Sequence, residues 1–478
     1  MKPRISLLLV LVTVLSIRVQ AKVTLPAIFS DGMVLQQQSN VALWGKADAG
    51  KSVTITTSWN NKTYQAKPAS DGSWKVKVKT PEAGGPYTIR INDGSETVIS
   101  DILIGEVWLA SGQSNMEMPL KGFRNQPVAN SAQVIASSAN PKIRFFAVSN
   151  ISWGKPLTDC KGSWKVASPE NTASFSATAY FFATALQQNL NVPVGIVESD
   201  WGGTRVQAWM SADALKAFPQ VQVPAEINSG FKNKNEATGL FNGMINPILR
   251  YDIKGAIWYQ GEQNRNEPEL YGQMFPAMVK QWRQDWKIGK FPFYYVQIAP
   301  YISKTKTLSA SLKKLEPYVP FLREAQLQSE KEIPNSGMAV LTDIGAQNTI
   351  HPPDKESVGK RLSYLALAKT YGQKNVAYSG PVYKKMKAEG NSILLKFDHA
   401  EGLKFSDGQS GNFEVAGSDK VFHPAKAEIT KDGIRVSSAQ VEKPVAARYA
   451  FKAWVKGDLF NQDGLPASSF RTDSWPVK

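Results

Sequence analysis

Gly105-Glu106-Val107-Trp108-Leu109-Ala110-Ser111-Gly112-Gln113-Ser114-Asn115-Met116 is the stretch on which the reading of the fold turns. Ile104 to Leu109 is a short apolar run of the length a buried strand needs, and a sharp turn follows it. A strand that ends this way belongs to an α/β sheet, whose ligands bind outside the carboxyl ends of the strands. A serine in such a turn can act as a nucleophile, because the turn lifts its hydroxyl from the sheet and offers backbone N–H groups to an oxyanion. Ser114 is the candidate. The elbow Gly-x-Ser-x-Gly is not met, since Met116 replaces the second glycine, and a capping serine is the plain alternative. Nearly the same letters recur at Gly408-Gln409-Ser410-Gly411, between β segments, and read there as a turn.

Working outward, buried strands alternate with helical stripes from about Ile102 to Gly372. Val194 to Val197, Gly255 to Tyr259, Phe291 to Ile298 and Met338 to Leu341 read as further strands. Phe175, Ala179, Phe182 and Leu186 form one helical stripe; Val358, Leu362, Leu365 and Ala366 form another that stops at Gly372. Leu270, Met274, Met278 and Trp282 form a third, which Pro276 is expected to kink or divide. The alternation predicts a parallel sheet covered on both faces. Residues 22–101 and 380–478 instead show period-two alternation broken by turn residues, so the expected order is an N-terminal β-sandwich, an α/β domain over 102–379 and a C-terminal β domain.

The chain has 478 residues, 42% hydrophobic and 20% charged, enough to bury a large core, which excludes a disordered or collagen-like protein. Its 13 Trp, 15 Tyr and 21 Phe lean toward all-β or α/β layers with sugar-sized clefts and away from a coiled coil or helical repeat. Residues 1–21 read as a signal peptide, with Lys2 and Arg4 before the apolar run Ile5 to Ser16 and Val19-Gln20-Ala21 as the cleavage site. Export to the periplasm or outside the cell is the expectation, and no later stretch is long and apolar enough for a membrane span. Cys160 is the only cysteine, so no internal disulfide forms and zinc-cluster spacing rules have nothing to act on. The formal net charge of +16 is spread along the whole chain without a run of five lysines, which reads as a solvated basic surface and not as a nucleic-acid site.

A nucleophilic serine needs a base, and the chain holds three histidines. His399 and His423 fall in the last β region, where turn roles are expected. His351 follows the strand near Leu341 and precedes Pro352-Pro353-Asp354, with Asp354 placed to cap the helix that carries Val358. The positive end of that helix would keep the imidazole neutral, as a base must be. Two more strand ends supply polar groups: Glu198-Ser199-Asp200-Trp201-Gly202-Gly203-Thr204-Arg205 and Trp258-Tyr259-Gln260-Gly261-Glu262-Gln263-Asn264.

Gly112-Gln113-Ser114-Asn115-Met116, Trp201-Gly202-Gly203-Thr204, Tyr259-Gln260-Gly261-Glu262 and Ile350-His351-Pro352, in that order, resemble the motif blocks of the sialate O-acetylesterase family of the SGNH-hydrolase superfamily. Leu25 to Gln36 resembles the family's opening β segment and Leu459 to Asp473 its closing one, so the likeness covers essentially the mature chain. The resemblance implies a three-layer, parallel-sheet α/β domain of SGNH-hydrolase type flanked by N- and C-terminal β domains. It implies Ser114 as nucleophile, His351 as base, and the Ser114 N–H, a glycine of Gly202-Gly203 and the Gln260 amide as oxyanion donors, with Glu262 supporting them. The implied substrate is an O-acetylated sugar or glycan, and neither a metal nor another cofactor is called for.

One departure stands out. The superfamily commonly carries an aspartate two or three residues before the histidine, and this chain has Asn348-Thr349-Ile350-His351. An Asn348 orienter favours the wrong tautomer, a change that cost about 10⁴ in rate in a serine protease. Either a backbone carbonyl orients His351, or Asp343 or Glu262 reaches it from elsewhere, or the enzyme is slow. Arg205 is placed to meet a sugar carboxylate or to form a structural ion pair. The rivals are an acetylesterase acting on another polysaccharide, such as acetylated xylan, and a glycan-binding protein with an inactive site.

Overall fold

The computed structural model describes residues 23–302 and 314–476, and the leader expected at residues 1–21 lies outside them. Strands β1 (Val34–Gln36), β2 (Asn40–Lys46), β3 (Val53–Thr57), β4 (Lys62–Ala66), β5 (Ser73–Lys79) and β6 (Gly84–Asn92) precede a long β7 (Glu96–Gly112). β2 pairs with β5, and β4, β3 and β6 run side by side. The first half of β7 pairs antiparallel with β6, and its second half enters the central sheet between two parallel neighbours. The division expected between residues 101 and 102 therefore falls inside one 17-residue strand.

The remaining central strands are β8 (Asn140–Ala147), β9 (Trp164–Ala167), β10 (Val194–Asp200), β11 (Gly255–Tyr259), β12 (Phe293–Val296) and β13 (Ser336–Ala339). They lie in the order β13-β12-β11-β7-β10-β8-β9, parallel except for β9, which runs antiparallel on β8. Because alternate strand residues face opposite ways, the sheet feeds two cores. Ile257, Tyr259, Tyr294 and Val296 pack with Phe182, Leu186, Val358 and Leu362 from the helices Ala177–Leu190 and Lys355–Leu365. Ala256, Trp258, Phe293 and Tyr295 pack with Met274, Met278, Trp282 and Leu322 from Pro268–Trp286 and Val319–Glu332. The fold is thus mixed α/β, with a large central sheet and further β-rich regions.

Pro276 does not divide its helix, which runs unbroken over 19 residues. A proline inside a helix costs about 3 kcal/mol, and the burial of Tyr271, Met274, Phe275, Met278 and Trp282 along one stripe offsets more than that. The last central strand begins at Ser336, two residues before the expected Met338, because Gly337 continues the ladder opposite Tyr294. Beyond it, Val382–Glu389, Ser392–Asp398, Gly433–Ser437 and Lys426–Thr430 form one antiparallel sheet. His423 belongs to the strand Phe422–Pro424 of a second sheet, not to a turn, since Val415 pairs with it across the ladder. Ser410 sits in a loop and donates its hydroxyl to Asp458 (3.0 Å), as the turn reading expects. Among the described residues no helix is long and apolar enough to cross a membrane.

Candidate active site

Register brings three strand ends to one level: Gly112 lies opposite Asp200 on one side and Tyr259 on the other. Gly112 has φ of +141°, and a Cβ there would stand 2.2 Å from the Tyr259 carbonyl oxygen, so only glycine lets β7 leave the sheet at this point. The chain then enters the one-turn helix Ser114–Glu117. Gln113 accepts hydrogen bonds at Oε1 from the N–H groups of Gly261 (3.3 Å) and Gln263 (3.2 Å), fastening this turn to the loop after β11.

Ser114 Oγ stands 2.8 Å from His351 Nε2. The other ring nitrogen, Nδ1, makes a short contact with Gln126 Oε1. A side-chain carbonyl oxygen can only accept, so Nδ1 carries the proton and Nε2 is left as the acceptor for the serine hydroxyl. Gln126 lies on a turn closed by reciprocal bonds between the backbones of Phe123 and Gln126, both 3.0 Å, and the Phe123 ring packs edge-on against the imidazole at 5.3 Å. The His351 N–H donates to Thr349 Oγ1 (3.1 Å). Burial first, and then the Lys355 charge, hold the His351 pKa down at about 4 from an ordinary 6.5. Asp354 caps the helix Lys355–Leu365, its Oδ1 accepting from the Ser357 N–H at 2.9 Å. The ring is therefore uncharged at neutral pH.

The acids expected to orient His351 lie elsewhere. Asp343 is engaged by both terminal nitrogens of Arg361 (2.7 and 2.6 Å), a bidentate fit that the imidazole cannot offer. Asn348 makes no hydrogen bond to His351 among the described residues. Glu262 meets Asn115 instead: Asn115 Nδ2 donates to Glu262 Oε1 (2.5 Å) and to the Ile350 carbonyl (2.9 Å), while Asn115 Oδ1 accepts from Lys355 Nζ (2.5 Å). Glu262 thus supports the loop before His351 from beneath. Asn115 and Lys355 are fully buried, and burial lowers the Lys355 pKa to about 7 and raises that of Glu262.

Gln260 departs from its expected role. Its Nε2 donates to the Thr204 carbonyl (3.0 Å) and to Asn264 Oδ1 (2.7 Å), which commits the amide hydrogens that an oxyanion would need. The Gly202 N–H donates to Glu117 Oε2 (2.8 Å), and a Cβ on Gly202 would come within 3.1 Å of Ser114 Cβ, so this glycine allows the loop to press against the serine. Gly203, at φ +68°, has no hydrogen bond from its N–H among the described residues. The Ser114 N–H heads its helix turn and has no intrahelical partner. Arg205 lies 3.7 Å from Glu267 and keeps about a third of its side chain exposed, which is the ion-pair reading. No cluster of described residues could hold a metal ion.

Sequence reasoning missed Gln126, Asn115 and Lys355. Gln126 carries no signal beyond a polar residue before a proline in an aperiodic loop. Asn115 was within reach, since it adjoins Ser114 in the turn.

Two outcomes follow. Gln126→Leu removes the acceptor for Nδ1–H and is expected to lower kcat about 10²- to 10³-fold, less than an aspartate-to-asparagine change elsewhere because no charge is lost; Gln126→Glu should recover activity and move the acid limb of the pH–rate profile upward. For the native protein, kcat/KM reports the free histidine. Activity requires neutral His351, so the limb should fall with an apparent pKa of about 4, and a limb at 6.5 would contradict the burial argument.

A hydroxyl held against an uncharged imidazole at the strand ends of an α/β sheet is the equipment of an ester hydrolase. The comparisons narrow that class. The chain belongs to the carbohydrate esterase family of sialic acid-specific acetylesterases, whose profile matches residues 104–363. It is 30% identical to the sialate O-acetylesterase of Rattus norvegicus, over 88% of this chain and 88% of that one. The Homo sapiens sialate O-acetylesterase is 29% identical over 81% of this chain and 78% of its own length. The crystal structure of a novel carbohydrate acetylesterase from Xanthomonas citri superposes with a TM-score of 0.86 at 36% identity, covering 95% of this chain and all of that one.

Proposed function

We propose that this chain is a serine carbohydrate esterase that removes O-acetyl groups from sialic acids through an acetyl-serine intermediate, on a three-layer SGNH-hydrolase-type domain. The observation that carries the reading is the 2.8 Å contact between Ser114 Oγ and His351 Nε2, with Gln126 fixing the tautomer. Ser114 Oγ attacks the acetyl carbonyl carbon as His351 Nε2 takes its proton. The oxyanion forms against the Ser114 N–H and the Gly203 N–H, which has no partner among the described residues; each such donor is worth about 3 kcal/mol. Collapse expels the sugar oxygen, which receives the proton from His351. A water, deprotonated by the same nitrogen, then hydrolyses the acetyl-serine and releases acetate.

The sialate substrate is supported by the family and by the names of the rat and human relatives. A second reading, an acetylesterase on another polysaccharide such as acetylated xylan, is favoured by the Xanthomonas citri structure, which shares the higher identity and is described only as a carbohydrate acetylesterase. Acetate release from 9-O-acetylated sialic acid and from acetylated xylan separates the two. Faster release from the sialic acid is expected; negligible release from it alone would overturn the sialate assignment. Residues 1–21 support export of the mature enzyme to the periplasm or beyond.

A further inference from the structure

A cleft of about 530 Å³ opens beside the Ser114–His351 pair. Its lining includes Glu117, Phe123, Asn150, Ser174, Glu198 and Asp200. Glu117 shares the helix turn of Ser114, Phe123 is the ring packed on His351, and Asp200 lies in register with Gly112. The cleft thus borders the reacting centre through three separate elements, although neither Ser114 nor His351 itself lines it.

Its carboxyl groups are unevenly satisfied. Glu117 is anchored by the Gly202 N–H (2.8 Å) and by Asn150 Nδ2 (3.1 Å). Glu198 accepts one bond, from the Ser176 N–H (3.3 Å). Asp200, only 5% exposed, has no hydrogen-bond partner at either oxygen among the described residues, and its Oδ2 is fully buried. Glu198 and Asp200 are two apart on β10 and so share one face of the sheet. Burial first pushes both toward the protonated form; at Glu198 the Ser176 N–H opposes it and Glu117 adds to it, and at Asp200 the Glu198 and Glu117 carboxylates add to it. Native folds rarely leave a buried polar group without a partner, and Asp200 differs from the other unpartnered groups near the site in lining an open cleft, where a ligand can supply the partner.

The ligand must bring both donors and acceptors, at the spacing of neighbouring carboxyl groups. Lys121 is the one cationic side chain in the lining, against three carboxyl groups, so a fixed anion fits poorly, and no cluster of described residues has the arrangement of a metal site. Neighbouring hydroxyl groups of a sugar meet the requirement. We propose that the cleft formed by Glu117, Glu198 and Asp200 binds the free hydroxyls adjacent to the acetyl ester, and that Asp200 and Glu198 thereby set the preference for a polyhydroxylated leaving group. The proposal rests on the esterase reading of Ser114 and His351. The hydroxyls come from the glycerol chain of a sialic acid or from the ring of a neutral sugar.

The test compares the native enzyme with Asp200→Ala, the shape-conserving Asp200→Asn and Glu198→Gln. Each is assayed on 4-nitrophenyl acetate, whose leaving group has no further hydroxyl, on 9-O-acetylated sialic acid and on an acetylated xylo-oligosaccharide. The readout is the ratio of kcat/KM for the sugar ester to that for the aryl ester. Asp200→Ala is expected to lower this ratio about 10- to 100-fold, mainly through the sugar KM, the size expected for losing hydrogen bonds at a site built to make them. The substitutions at Asp200→Asn and Glu198→Gln, which keep volume, should lower it less. The sugar whose ratio falls identifies the source of the hydroxyls. An unchanged ratio in Asp200→Ala, whether both rates fall together or neither falls, overturns the subsite. A native enzyme inert toward all three esters overturns the esterase reading itself, and the subsite with it.

Discussion

Ser114→Ala is expected to lower acetate release by roughly 10⁴- to 10⁶-fold while leaving the fold intact. Among the described residues the only side-chain hydrogen bond of Ser114 is to His351, and alanine is at least as comfortable at the first position of a helix turn. Removal of the hydroxyl therefore deletes chemistry without opening a cavity. His351→Ala should cost about as much, and the double variant little more than either alone, because the two side chains act as one unit. What survives comes from the backbone donors and from binding, which do not need the nucleophile. Two measurements check this: acetate release on a preferred sugar ester, and the mass of an acetyl adduct trapped on the native protein at low pH. A Ser114→Ala enzyme retaining more than about a hundredth of native activity would falsify the acetyl-serine route.

The second large effect lies beneath the site. Asn115→Ala is expected to destabilise the protein by about 3–5 kcal/mol, because it strands a buried carboxyl and a buried ammonium together. Asn115 is the link: its amide nitrogen serves Glu262 and the Ile350 carbonyl, and its oxygen serves Lys355. With that link gone, Lys355 Nζ has no hydrogen-bond acceptor among the described residues and keeps the face of the Tyr259 ring, 5.4 Å away, and the charges of Glu262 and Asp354, while Glu262 loses its side-chain donor. Because Ile350 precedes the base, the loop that aims His351 loosens as well, and kcat should fall about 10- to 100-fold in the protein that still folds. Denaturant titration gives the first quantity and steady-state kinetics the second. A stability loss below about 1 kcal/mol would show that water takes over the link at little cost.

Both effects involve residues of very different legibility. Ser114 and His351 could be read from the chain because their signals are local or exclusive: a strand, a turn and a hydroxyl in one run, and one histidine within the α/β region. Asn115 sat in the same run without declaring a role, since a buried amide is defined by what surrounds it. Gln126 was further out of reach. It lies 225 residues from His351 in the chain, on a loop without periodicity, and it fills a place where an acid was sought. Gln260 shows the converse error: the motif was legible, but its amide hydrogens are taken by Thr204 and Asn264, and no linear pattern reveals which neighbour an amide will choose.

The sequence by itself determined the layers. Apolar period two or three to four separates strand from helix because burial acts on each residue through its position along the element, and that position is a local property of the chain. It also determined which hydroxyl and which imidazole are available. The tertiary structure alone decided what those groups touch: that Gln126 and not an acid holds the ring, that Asp343 belongs to Arg361, and that Asp200 lines a cleft with no hydrogen-bond partner among the described residues. Hydrogen bonds are short, directional and blind to chain separation, so their pairing is settled only once the sheet has brought distant loops to the same edge.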